Sequence, residues 1–262
     1  MIRYSEFQPS PSLSTLVACY WILEGHGCGT PEPIVPDGCV ELIFHYGTPF
    51  TRHHSTGASE RQPPAVVAGQ ITSPAMLSTP KNAGVAAVRL RSSAAAAVLR
   101  VPAESLTDQI CGLEGVLRVG RLVERLADAH GDLERIALLE SWLNGLHLTE
   151  PRTDLAAAVE LIVATGGNTD LDAVARHSEL SRRQLERLFP EHVGLAPKTF
   201  ARIIRLRRAV KLARRGQPLA SVAAACGYYD QPHMTRDFRV LLNGSPKEWQ
   251  EMTGALSSLF AD

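Results

Sequence analysis

Three things the chain does without already narrow its class. It has no long apolar run: stretches such as Ala94 to Leu99 fall far short of the roughly eighteen residues that a bilayer-spanning helix needs, so no membrane partner is expected. Cysteine is sparse and unpaired in spacing. Cys19, Cys28, Cys39, Cys111 and Cys226 are odd in number and contain no Cys-x-x-Cys pair, which argues against a disulfide framework and against a structural zinc knuckle. The opening residues, Met1 to Glu6, lack a basic start followed by an apolar stretch, so a cytoplasmic setting is expected. What remains is a 262-residue sequence with 45% hydrophobic and 21% charged residues, which is the composition of a globular protein of about two domains.

Net charge is also absent, with 27 basic and 27 acidic side chains, but the balance is local rather than uniform. Residues 1–150 carry 11 Lys/Arg against 15 Asp/Glu, and residues 151–252 carry 16 against 11. Between positions 181 and 215 there are 11 basic residues and only Glu186 and Glu191 as acids. A helical segment with that excess points to an anionic partner, first of all a phosphate backbone, with a solvated surface helix as the alternative.

The texture changes along the chain. Up to about residue 92, Pro, Gly and β-forming residues dominate. Pro36-Asp37-Gly38 reads as a turn feeding a strand from Cys39 to Tyr46, with further strands at 65–70 and 85–90 and a polar loop from Thr51 to Pro64. Residues 93–148 read as Ala/Leu-rich helices, with Leu122, Leu126, Leu133, Ile136, Leu139, Leu143 and Leu146 at three-to-four spacing, a face expected to offer an association surface or to pack on the β-rich part. Residues 149–153 contain Pro151 and form the expected linker. From 154 onward the chain reads as helix, with Thr169 and Asp172 as one capping pair, Ser181 and Gln184 as another, and a long helix from Pro197 to Arg215, about 28 Å at ~1.5 Å per residue. Residues 253–262 read as a tail.

The helical half contains a repeat. Arg187, Phe189, Pro197 and Phe200 are echoed by Arg236, Phe238, Pro246 and Trp249, and each set follows a short helix, Leu171 to Ala175 and Leu219 to Ala223. Two copies of a helix, a tight turn and a second helix are two helix-turn-helix units. The stretches Leu180 to Phe189, Gly194 to Pro197, Phe200 to Leu206, Val222 to Gln231, Thr235 to Phe238 and Ser245-Pro246 closely resemble the AraC/XylS-type DNA-binding domain over residues 154–252. The chain departs from that pattern at Ser178 and Glu179, where an apolar residue and Gly are usual, at Pro232 and Met234, and at Asn243. Residues 1–148, with Tyr20-Trp21 and Pro36-Asp37-Gly38-Cys39, are similar to a regulatory domain found ahead of some such regulators.

These features predict an α+β chain: a mixed β-barrel or sandwich-like sensor domain with helices, then an all-α domain of two helix-turn-helix subdomains joined by a long helix. The resemblance implies double-stranded DNA as partner, with a small-molecule effector, RNA polymerase and a second copy of the chain as further candidates. It turns Arg182, Arg183, Glu186 and Arg187 of the first recognition helix, and Gln231, Pro232, Thr235 and Arg236 of the second, toward base edges. Arg suits guanine, Gln suits adenine and Glu can accept from cytosine. For Arg187 and Arg236, salt bridges or phosphate contacts are the alternative. Ser181, Lys198, Arg202 and Lys247 are the phosphate candidates, and Tyr20, Trp21, Phe44, Tyr46 and Arg89 the candidates to line an effector pocket, with core packing as the alternative for the Tyr20-Trp21 pair. Arg89 and Arg91 share one strand face, either solvent or an anion site. Two rival readings are an accessory DNA binder without a ligand and a cupin-like enzyme domain fused to a DNA-binding module. The second would need His26, His45, His53, His54 and Glu41 as metal ligands, but no His-x-His pair or facial-triad spacing supports it, so neither enzymatic activity nor a cofactor is expected. Cys28 and Cys39 could form a redox pair, although buried, unreactive thiols are the simpler state for Cys19, Cys39 and Cys226.

Overall fold

Strand character in the first third comes from alternation that sends successive side chains to opposite faces. The computed structural model describes residues 2–251. Strands β1 (Ile2–Phe7), β2 (Val17–Gly25), β3 (Pro31–Ile34), β4 (Val40–His45), β5 (Thr51–His53), β6 (Ser59–Arg61), β7 (Ala65–Ala68), β8 (Ala75–Ser78), β9 (Ala83–Leu90) and β10 (Ile110–Gly112) form two antiparallel sheets. One has the order β1-β2-β9-β4-β7-β10 and the other β3-β8-β5-β6. β9, between β2 and β4, is buried along all eight residues, and its Ala/Gly/Val composition lets both faces be covered closely.

The larger sheet has two different coats. Tyr20, Ile22, Leu42, Phe44, Val88 and Leu90 point to the side covered by helices α1 (Ala95–Leu99), α2 (Leu122–Asp128) and α3 (Asp132–Asn144). Cys19, Trp21, Leu23, Val85 and Ala87 point to the small sheet, where Phe50 and Leu77 meet them. This part is thus sandwich-like, and no strand pairing among the described residues closes it into a barrel. The expected loop from 51 to 64 contains the β5–β6 hairpin, and the stretch from 93 to 148 is interrupted by strand β10. The expected association face is mostly spent inside the chain: Leu122, Leu126, Ile136, Leu139 and Leu143 are buried against the sheet, and Leu133, 76% exposed, stands apart from them.

After an extended crossing at 149–152 come α4 (Thr153–Ala164), α5 (Leu171–His177), α6 (Arg182–Val193), α7 (Pro197–Arg214), α8 (Leu219–Ala225), α9 (Gln231–Leu242) and α10 (Pro246–Glu251). The repeat is real in three dimensions: α5-turn-α6 and α8-turn-α9 flank α7, whose Phe200, Ile203, Leu206 and Val210 are buried in a core common to both units. Pro190 lies inside α6 rather than at its end, and the helix continues one turn to Val193. The Thr169–Asp172 cap does not form; Asp170 takes the N-cap position and Asp172 pairs with Arg182 instead. The expected tail from 253 lies outside the described residues.

The turns close alike, with Leu180 N–H donating to Ala175 O and Tyr228 N–H to Ala223 O. This closure needs a left-handed residue, supplied by Gly227 at φ 72° in one unit and by Glu179 at φ 56° in the other. A side chain costs about 1–2 kcal/mol in that region, partly offset by the greater freedom of glycine in the unfolded chain. Glu179→Gly should therefore raise stability by up to about 1 kcal/mol, and Gly227→Ala should lower it by at least about as much, both read from denaturant unfolding.

Candidate nucleic-acid interface and inter-sheet cavity

Capping fixes where each second helix starts. Ser181 Oγ accepts from Gln184 N–H at 3.2 Å while Gln184 Oε1 accepts from Ser181 N–H at 2.9 Å, the reciprocal box that the spacing predicts. Ser181, a phosphate candidate, thus has its hydroxyl engaged locally. In α9, Asp230 accepts from His233 N–H at 2.7 Å, and Pro232 sits in the first turn, where a missing N–H costs nothing.

Leu185, Leu188 and Phe189 of α6 and Met234 and Phe238 of α9 are buried, which leaves Arg182, Arg183, Glu186 and Arg187, and Gln231, Pro232 and Arg236, on exposed faces. Arg182 is held by Glu186 at 2.8 Å and Asp172 at 3.0 Å. Arg183, Arg187 and Arg236 form no ion pair among the described residues, so the salt-bridge alternative for the repeated arginines is not realised. Thr235 is half-buried and its Oγ1 donates back to Gln231 O at 3.0 Å.

A basic groove joins the two units. Arg182 of α6, Lys198, Arg202 and Arg205 of α7, and His233 and Arg236 of α9 line it together with Asp170 and Asp237. Arg205 and His233 were not among the expected residues, although the i, i+3 relation of Arg205 to Arg202 puts the two on one helix face. Arg202 differs from its expected role: its guanidinium meets the buried Asp237 at 2.8 Å, as does that of Arg205 at 3.2 Å, and Arg205 also stacks 4.5 Å from the Tyr228 ring. These arginines brace α7 against α9. Lys198 is exposed and forms no ion pair among the described residues, and Lys247 is exposed, 4.0 Å from Glu251.

The five effector-pocket candidates do not converge. Tyr20 and Trp21 are neighbours on one strand and therefore point to opposite faces. Tyr20 and Phe44 are buried under the helices, Phe44 edge-on to Trp142 at 5.2 Å. Tyr46 donates to Glu24 at 2.6 Å beneath the Arg135 guanidinium, and its burial among the helices likewise removes it from any inter-sheet space. Trp21 alone of the five lines the inter-sheet cavity, a space of about 60 Å³, with Asp37, Cys39, Glu41, His45, Phe50 and Gln62 among its other walls. The two arginines of the expected face part: Arg89 is held by the chain's own carboxylates, its Nε donating to Glu41 at 2.9 Å with Asp37 and Glu6 nearby, while Arg91 is exposed and donates to Ser14 O. Burial pushes the Glu41 carboxyl above its usual range against the pull of Arg89, and pushes the Cys19 thiol up to about 11 and the Cys39 thiol up as well. All five cysteines are free thiols, and Cys28 is exposed. The histidines proposed as metal ligands are dispersed. His45 is bonded to Gln62, His53 to Ser59 and Ser78, and His54 to Glu60, and among the described residues no cluster could hold a metal ion.

The cavity adjoins the helical half through one turn. Val35 lines the cavity and is also packed into the core of the C-terminal helices. Gly38, at φ 81°, accepts at its carbonyl from Gln70 at 2.8 Å and Ser92 at 2.6 Å, and a Cβ there would lie 2.9 Å from Phe200 of α7.

Residues 174–252 match the helix-turn-helix domain family model, and the chain's relatives among curated proteins include several named as HTH-type transcriptional regulators. The C-terminal domain is of the AraC type. Residues 5–112 match a domain of unknown function, DUF6597. GbdR of Pseudomonas aeruginosa, an HTH-type transcriptional regulator, is 34% identical over 80 residues, 30% of this chain and 22% of its own length. RhaS of Salmonella arizonae, an HTH-type transcriptional activator, is 33% identical over 86 residues, 32% of this chain and 31% of its own. The match thus spans less than a third of either relative. A solved AraC-type regulator structure from Chromobacterium violaceum is 32% identical with a TM-score of 0.35, covering 37% of this chain and 88% of that one. Among the described residues, no helix is long and apolar enough to cross a membrane.

Two outcomes follow from the buried polar groups. Removing the Asp237 carboxylate strands two arginines, one of them a third exposed, so Asp237→Ala should cost about 3 kcal/mol in denaturant unfolding. Burial lowers His45 from 6.5 to about 4, so folding opposes its protonation: its contribution is intact above pH 6.5 and is lost as pH falls toward 4. The acid-side loss of stability over that window should shrink by roughly 3 kcal/mol in His45→Gln compared with the parent chain.

Proposed function

We propose that this chain is a sequence-specific transcription regulator that reads double-stranded DNA through α6 and α9 and is modulated through its N-terminal half. The observation that carries the reading is the pair of capped helices, each turning an unpaired arginine outward, Arg183 and Arg187 on one and Arg236 on the other, with a basic groove between them. At 18 residues, α7 is about 27 Å long, near the ~34 Å repeat of the major groove, which fits two readers on successive groove segments of one duplex face. We take 1–148 as the regulatory domain, 149–153 as the linker and 154–252 as the DNA-binding domain. Such a protein acts on cytoplasmic DNA and needs no enzymatic step. RNA polymerase and a second copy of the chain are partners suited to that role.

The seam at Val35 and Gly38 supports modulation, since a change of shape in the inter-sheet cavity would bear directly on Phe200 and the root of α7.

Selection of bound duplexes from a random-sequence pool, followed by footprinting, tests the reading. Two protected segments about ten base pairs apart are expected. Arg183→Ala should weaken the selected site by about 1–3 kcal/mol and relax one or two positions, and Arg236→Ala should do the same in the other segment. Lys198→Ala should weaken all duplexes alike and reduce the salt slope by about one. A single protected segment indifferent to Arg236 would sink the two-reader reading.

A further inference from the structure

The inter-sheet cavity is mostly apolar, walled by Trp21, Ile43, Phe50, Leu77 and Ile110, and the charged side chains that line it, Asp37 and Glu41, are both acids. His45 is 2% exposed, and its Nε2–H donates to Gln62 Oε1 at 3.0 Å, so Nδ1 is an acceptor. That Nδ1 has no hydrogen-bond partner among the described residues. Buried acceptors are almost always satisfied, and one left open at a cavity wall invites a donor from whatever fills the space. The second polar wall is Glu41, whose Oε1 accepts from Trp21 Nε1 at 3.0 Å and from Arg89 Nε at 2.9 Å. Arg89 is itself shared with Glu6 at 3.8 Å and Asp37 at 3.7 Å. Of the charged side chains that line the space, Asp37 and Glu41 are both carboxylates, and the single guanidinium of Arg89 is divided between them.

These features select the guest. An anion would face Glu41 and an imidazole lone pair, both repulsive. A neutral apolar molecule would fill the space but leave Nδ1 unanswered. A quaternary ammonium would suit the charge and the aromatic wall but has no N–H to give. Resting on the reading of the N-terminal half as a sensor, we propose that the cavity binds a small primary or secondary amine with an apolar body, its N–H donating to His45 Nδ1, its charge beside Glu41 and its body against Trp21 and Phe50.

Calorimetric titration of the full chain with benzylamine, benzyl alcohol and benzoate tests this, since the three share a ring and differ in the head group. Benzylamine should bind about tenfold or more tightly than either of the others. Glu41→Gln should erase the difference between amine and alcohol. Because that change also disturbs Arg89, a second variant, Ala75→Phe, fills the cavity from its wall. It should abolish benzylamine binding while the chain still unfolds cooperatively on heating. Equal affinity for alcohol and amine, preference for benzoate, absence of amine binding, or amine binding that survives Ala75→Phe would each overturn the assignment. Duplex binding measured without amine separates the two readings: its loss with amine binding intact removes the DNA-reading role alone, and the reverse removes only the amine site.

Discussion

Phe200 is the side chain on which the arrangement of the whole chain depends. It is fully buried at the first turn of α7, edge-on to Phe189 of α6 at 5.5 Å, and its ring lies against the backbone of Gly38. Three structural layers therefore meet at one ring: the first helix-turn-helix unit, the helix that leads to the second, and the turn that begins a central strand of the sheet. Burial of an aromatic ring contributes about 1.5–3 kcal/mol, but its larger effect here is geometric. It fixes the direction in which α7 leaves, and so the position of α9.

From that root, α7 carries different chemistry along its length. Near the root its contacts are apolar. Farther on, Arg202 and Arg205 reach Asp237, a carboxylate at the repeat position where the first unit has the buried Leu188. The first unit is thus locked by hydrophobic packing and the second partly by ion pairs, although both share one layout. Charges that sequence counting assigns to a phosphate-facing surface are divided between bracing and exposure, and only the structure separates Arg202 from Lys198.

How much could be read from the sequence follows the range of the interactions. The box at Ser181, the left-handed Asn243 and the repeated arginine-to-aromatic spacing depend on residues a few positions apart, and these were legible along with the two helix-turn-helix units. The placement of α2 and α3 depended on what their leucines face, which periodicity alone does not tell: most of that face is covered by the chain's own sheet. The cavity was least legible. Alternation reveals that Tyr20 and Trp21 diverge but not which side is hollow, and of its polar groups Glu41 and His45 share one face of β4, whereas Gln62 is brought to His45 from beyond β6 only by the fold. The resemblance to regulators covered the DNA-binding half far more densely than the first, in keeping with the pattern of matches to known proteins.

Two glycines mark the seam between the halves. Gly38 offers its carbonyl to Gln70 and Ser92, Gly194 offers its carbonyl to Thr107, and a Cβ on Gly194 would lie 3.2 Å from Ala103 O. Across the seam itself the Phe200 ring sits on Gly38, Val35 enters the helical core and Thr107 donates to the Gly194 carbonyl. The two glycine positions must stay bare for these side chains to seat, which is economical in residues but strict in shape. The same economy makes them points of epistasis: a single methyl group added at Gly38 is felt by the sheet and by α7 at once, so it can be accepted only together with a second change on the opposite side.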